Sequence, residues 1–181
     1  IYIHGNNTGG GIFRIERCFF TENYGYYGGA IYVAAEVKNV NNGANLIDRC
    51  SFFNNAAGER EKSSNYGGAV CIVGQGYVFN STIYNNENGG VLATKTGSAI
   101  VNCTITRNTG AGIDGFGDGT HQIPVHNTVV WGNANLTTDA TNNMPEFKYS
   151  AYPEANKIHS TSDQHNLFLS EKNNEAEGPS F

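Results

Sequence analysis

Charge is scarce in this chain. Asp, Glu, Lys and Arg together make up 15% of its 181 residues, and 16 acids against 11 bases leave a formal net charge of −5. Partners that attract basic patches, nucleic acid and anionic membrane surfaces, are therefore disfavoured. No apolar run approaches the ~18 residues that a membrane-spanning helix needs. Four cysteines are present, but they form neither a Cys-x-x-Cys pair nor a Cys/His cluster, which argues against a structural zinc. Of only four prolines, three (Pro145, Pro153, Pro179) fall in the last quarter. The first 133 residues thus almost lack the residue that interrupts a β ladder.

Glycine and asparagine are abundant instead. Glycine accounts for 23 residues, and asparagine is commoner still. Both occur in repeating segments. RCFFTEN (17–23) is answered by RCSFFNN (49–55), and STIYNN (81–86), NCTITRN (102–108) and NTVVWGN (127–133) continue the series. YGGAIYV (27–33) recurs as YGGAVCI (66–72), then as NGGVLA (88–93) and GAGID (110–114). The terminal asparagines Asn23, Asn55, Asn86, Asn108 and Asn133 are spaced by 32, 31, 22 and 25 residues. The shortest spacing sets the unit. The two long ones accommodate polar, glycine-rich or charged insertions at 36–45 and 56–65, as surface loops do. A unit of about 22 residues is too short for several helical turns and suits short strands joined by turns.

Aligned on the asparagines, the segments form columns. Phe20, Phe52, Ile83, Ile105 and Val129 are expected to point inward together, two residues after Cys18, Cys50, Ser81, Cys103 and Asn127. Ile15, Ile47, Val78 and Ile100 stand three residues before that second set. The odd offset predicts a bulge or small turn between two strands. After the glycines, Ile31, Val70, Leu92 and Ile113 form another inward column, which leaves Tyr32, Cys71, Ala93 and Asp114 facing outward. Columns of like residues at fixed phase are the signature of stacked parallel strands. The fold class expected is all-β, a right-handed parallel β-helix. In that geometry the asparagines turn the chain in the left-handed region and bond from coil to coil. The Gly-Gly pairs serve corners where a side chain would clash or φ is positive.

The pairing of FTEN (20–23) with GGAI (28–31), and of FFNN (52–55) with GGAV (67–70), resembles the repeats of chlamydial polymorphic outer-membrane proteins. NTVVWGN is similar to the last-coil motif of secreted Bacteroidetes β-helix proteins. The resemblance covers roughly residues 12–133. It implies a single-stranded, pectin-lyase-like helix of about five to six coils, on the outer cell surface or extracellular, adhesin-like, with a polysaccharide or a host-surface protein as partner. The chain starts at Ile1 in strand-like sequence, and is expected to be a mature or trimmed form. Residues 134–181 lose the periodicity and are expected to complete the same domain as a loop over 134–146, a partial coil and a cap.

Candidate chemistry is thin. The outward column offers one acid, Asp114, and the segment IDGFGDGTH (113–121) adds Asp118 and His121. These three are the enzymatic candidates for a lyase or hydrolase of polysaccharide. Glycoside hydrolysis needs paired carboxylates, and a lyase needs a base beside a charge-neutralising ion. Calcium is the one ion the Asp-Gly turn suggests, although its spacing matches no known loop, and no cofactor is expected. The tyrosines beside the glycine corners, Tyr24, Tyr26, Tyr27 and Tyr66, together with Tyr32, suit the binding of sugars or proteins through aromatic faces. Binding without catalysis, through Tyr27, Tyr32, Tyr66 and Asp114, is the expected function. Glu16/Arg17 and Asp48/Arg49 stack as ladders of ordinary solvated pairs. Cys18, Cys50 and Cys103 share a column with Ser81, Cys71 belongs to the Gly-Gly strand, and all four are expected to be free thiols.

Overall fold

A computed structural model describes residues 1–4, 12–34, 45–58, 67–94, 97–115, 123–134, 145–153 and 165–169. Every regular element among them is a strand, most of three residues. The strands gather into three parallel sheets. The first holds Tyr2–Ile3, Ile31–Val33, Val70–Ile72, Val91–Ala93 and Ile113–Gly115. The second holds Arg14–Glu16, Leu46–Asp48, Tyr77–Phe79, Ala99–Val101, Pro124–His126 and Glu146–Lys148. The third holds Phe19–Thr21, Ser51–Phe53, Thr82–Tyr84, Thr104–Thr106, Val129–Trp131, Ala151–Pro153 and Leu167–Leu169. A two-stranded ladder joins Tyr24–Gly25 to Ala56–Ala57. Up to Trp131 the chain visits first, second and third sheet in that order and then begins again. Each strand pairs in parallel with its counterpart one repeat on, an all-β arrangement compatible with a β-helix or solenoid.

The three sheets share one apolar cluster. Ile31, Val70, Val91 and Ile113 enter it from the first sheet, Ile47, Val78, Ile100 and Val125 from the second, and Phe52, Ile83, Ile105 and Val130 from the third. Between residues 46 and 131, second- and third-sheet strands bury their middle residue there, and Ile31–Val33, Val70–Ile72 and Val91–Ala93 of the first sheet bury their first and third. Phe20 lies parallel to Phe52, with ring centroids 4.9 Å apart.

Two expected columns shift by one residue. Ile105 pairs with Val130, while Val129 lies opposite Thr104 and packs with Trp131 and Ala151 outside the main core. Val130, three residues before Asn133 as Ile105 is before Asn108, keeps the phase. In the first sheet Val91, not Leu92, continues Ile31 and Val70, so the outward column reads Tyr32, Cys71, Leu92, Asp114, with Ala93 facing the core. The cause is the corner length. Asn86 reaches Val91 in as many steps as Asn108 reaches Ile113, so Gly90 stands directly before its strand and no alanine intervenes.

The asparagines form the expected ladder, and the turn lies one residue earlier. Asn55 donates its backbone N–H (2.9 Å) and its Nδ2 (3.0 Å) to Oδ1 of Asn86. Asn86 does the same to Asn108, both at 2.9 Å, and Asn108 to Asn133 at 3.0 and 2.8 Å. Each amide also donates backwards: Asn86 Nδ2 reaches the carbonyl of Phe52 at 3.2 Å and that of Tyr84 at 3.1 Å. Asn55, Asn86 and Asn108 are essentially without solvent exposure. The left-handed residues are their predecessors, Glu22, Asn54, Asn85 and Arg107, at φ of 53–57°, with Gly132 at 60° in the last case.

A second polar column occupies the corner between the second and third sheets. Cys50 donates its backbone N–H to Ser81 Oγ (3.1 Å), Cys103 to Thr128 Oγ1 (3.3 Å), Thr128 to Ser150 Oγ (3.2 Å), and Ser150 to Asn166 Oδ1 (3.0 Å). Thr128, not Asn127, therefore holds this position. Asn127 belongs to the left-handed series that precedes it: Arg17, Arg49, Asn80, Asn102, Asn127, Tyr149 and His165. This series is the small turn behind the odd three-residue offset. The repeat also continues beyond 133. Phe147 and Tyr152 extend the two core columns and lie against each other at 4.6 Å, while the expected loop lies largely outside the described residues.

Truncating the core and breaking the ladder should both be costly. Phe52→Ala is expected to lower unfolding free energy by roughly 3–5 kcal/mol. Asn86→Ala, which strips partners from several buried groups at about 1–3 kcal/mol each, should cost about 3 kcal/mol or more. Chemical denaturation measures both, and a loss below about 1 kcal/mol for either would contradict its placement.

Candidate functional site

The sequence pointed to the outer face of the first sheet, and the structure divides that face in two. At its N-terminal end lies a group of aromatic rings. Tyr2 pairs with Tyr32 across adjacent repeats, and the rings stack at 5.3 Å with 17° between planes. Tyr27, from the preceding glycine corner, also stacks on Tyr32, at 5.7 Å and 26°. Tyr26 meets Tyr27 edge-on at 4.7 Å, and His4 lies parallel to Tyr2 at 6.0 Å. Tyr2 is 67% exposed and Tyr27 43%, while Tyr32, which both contact, is half-buried. Burial, followed by the neighbouring Cys71, Tyr2 and Tyr27, pushes the Tyr32 phenol above its ordinary range. The ring therefore stays neutral, a flat apolar face with a hydroxyl at its rim.

Farther along, the same face is closed. Cys71 has no exposure, Leu92 7% and Asp114 3%. Part of the cover is the glycine corner of the preceding repeat: a Cβ on Gly67 would stand 3.0 Å from the Leu92 Cβ. The expectation of one open face running from Tyr32 to Asp114 is thus corrected. Asp114 is two rungs beyond Tyr32's neighbour Cys71, enclosed, and not part of the tyrosine group. Tyr66, Asp118 and His121 lie outside the described residues. Among the described residues no three His, Cys, Asp or Glu side chains come together as a metal site would require.

Tyr2 escaped the sequence reading, although the signal was present. Ile1-Tyr2-Ile3 repeats Ile31-Tyr32-Val33 at the same phase, so the repeat begins one strand earlier than the asparagine count indicates.

The charged ladders on the second sheet are more integrated than solvated pairs. Asp48 is buried and accepts from Asn80 Nδ2 and Arg49 Nε, both at 2.7 Å, and Arg49 reaches back to Glu16 at 3.4 Å. The bond from Asn80, with help from Arg49 and against the effect of burial, holds the Asp48 carboxyl below the usual carboxylate range. Every partner is structural, and the cluster bridges three repeats.

The thiols are also structural. All four cysteines are free. Burial pushes Cys71 and Cys103 up to about 12 and raises Cys50, so at neutral pH they are protonated and poor nucleophiles. Cys18 alone is exposed. With Ellman's reagent the native protein should show one fast thiol, and four in denaturant without reductant. Two or fewer in denaturant would reveal a bridge between Cys18 and Cys50.

No protein family, curated protein or solved structure matched this chain.

Proposed function

We propose that the chain is a secreted or cell-surface β-helix of adhesin-like type that binds glycan chains without transforming them. The repeats would close into a right-handed, pectin-lyase-like coil ending in a cap. Parallel crossovers within one sheet are right-handed in ~98% of cases, and the FxxN/GGA pairing supports the same architecture. One observation carries the functional reading. Tyr2, Tyr32 and Tyr27 bring three rings together at 5.3 and 5.7 Å, and the outer two are substantially exposed. Such a group offers sugar rings apolar faces to stack on and phenol hydroxyls to bond. The net charge of −5 suits a sugar better than a phosphate backbone. Asp114, the acid first in line for catalysis, is enclosed and three rungs removed from Tyr32, which supports binding over hydrolysis.

A glycan array followed by titration of the strongest hit tests this. Tyr32→Ala and Tyr27→Ala should each weaken binding about tenfold or more, equivalent to ~1.4 kcal/mol, with unchanged thermal unfolding for the exposed Tyr27. Full binding in both variants would remove the site. Unsaturated or reducing ends that appear with native protein and vanish in Asp114→Asn would replace binding with catalysis.

A further inference from the structure

A second feature lies at the corner between the third and first sheets. Tyr24, Ala56 and Glu87 occupy consecutive rungs there, Tyr24 paired with Ala56 and Ala56 bridged to Glu87. The middle rung carries only a methyl group between two large side chains, so a notch opens. It forms a cleft of about 220 Å³ lined by Glu22, Asn23, Tyr24, Asn54, Ala56, Glu87 and Asn88. Ligand pockets for drug-sized molecules run from ~300 to ~1,000 Å³, so this one takes a single small unit.

The walls are held in place. Tyr24 Oη donates to the carbonyl of Gly58, which fixes its ring along one side. Asn88 Nδ2 donates to the carbonyl of Ala57 at 2.6 Å, and Asn54 Oδ1 accepts from Asn85 Nδ2. The left-handed backbone at Glu22, Asn54 and Asn88 turns these residues out around the notch. Glu22 and Glu87 are both exposed. Among the described residues the lining thus combines one aromatic face, three amide side chains and two acids, with no Lys, Arg or His.

We propose that this cleft is a subsite for an amino-sugar unit bearing a free, protonated amine, within the glycan that the tyrosine group engages. The proposal deepens the glycan-binding reading and rests on it. The ring would stack on Tyr24 above Ala56, its hydroxyls would meet Asn54 and Asn88, and its ammonium would meet Glu22 and Glu87. Charge-assisted hydrogen bonds of this kind are stronger than neutral ones, and a uronate would be repelled by the same acids. Tyr24 and Tyr27 are separated in the chain only by Gly25 and Tyr26, so one oligosaccharide is expected to engage both places.

Calorimetric titration with three tetrasaccharides at low salt decides it: glucosamine tetramer, N-acetylglucosamine tetramer and galacturonate tetramer. Native protein should bind the glucosamine tetramer at least about tenfold more tightly than the N-acetylated one, and the galacturonate most weakly. The preference should shrink with added salt. Glu22→Gln with Glu87→Gln, isosteric changes at exposed positions, should bring the glucosamine and N-acetylglucosamine affinities within about twofold of each other. A preference that persists in the double variant, or one for the galacturonate, overturns the cleft proposal alone, because Tyr32→Ala would still weaken binding about tenfold or more. Absence of binding by all three tetramers overturns the subsite together with the glycan reading.

Discussion

The buried amide of asparagine is the constraint on which this structure depends. In each repeat one side chain must accept from the repeat before it and donate to the repeat after it, and a primary amide offers an acceptor oxygen and two N–H donors on one short arm. Asn86 accepts the backbone N–H and Nδ2 of Asn55 and donates to Asn108, and its side chain has no solvent exposure. Buried groups of this kind are expensive to leave unpaired. The ladder therefore fixes the rung-to-rung register, and with it which residue of each short strand faces the core. Three-residue strands have little register specificity of their own.

Other sequence features follow from that requirement. To aim the asparagine inward the chain must turn one residue earlier, and Glu22, Asn54, Asn85 and Arg107 adopt left-handed backbone there, at a local cost that the ladder offsets. The glycine corner must then pass close over the neighbouring amide. A Cβ on Gly112 would stand 2.7 Å from Nδ2 of Asn133, and one on Gly90 3.2 Å from Nδ2 of Asn108. The FxxN and GGA segments recur together because one packs on the other across repeats. The Cys, Ser and Thr column extends the same principle to a second corner, where a hydroxyl or thiol donates to the carbonyl two residues back. Ser81 Oγ does so at 2.6 Å and Cys103 Sγ at 3.3 Å.

Much of this was legible because repetition exposes phase. The columns through Phe52 and Ile83, and through Ile47 and Val78, could be read from spacing alone. Spacing failed where a corner changed length, as at Gly90–Val91, and where two adjacent valines made the phase ambiguous, as at Val129 and Val130. It failed again at the turns, because propensity does not assign left-handed backbone to Arg49, Glu22 or Tyr149; tertiary hydrogen bonds impose it. For the site, Tyr27 and Tyr32 were visible as turn-flanking aromatics. Their stacking with Tyr2, the burial of Asp114 and the notch over Ala56 arise from neighbours 22 to 32 residues away along the chain, which local pattern does not reveal.

Native-state hydrogen exchange of the backbone amides of Asn55, Asn86 and Asn108 tests the ladder most directly. Each donates to the side-chain oxygen of the next repeat, so its proton is released only when the rungs separate. The account predicts that these three exchange as slowly as the core strand amides of Ile83 and Ile105, at the free energy of global unfolding. Exchange at the rate of exposed turn amides, with the strand amides still protected, would show that the rungs hold without the asparagines and would contradict it.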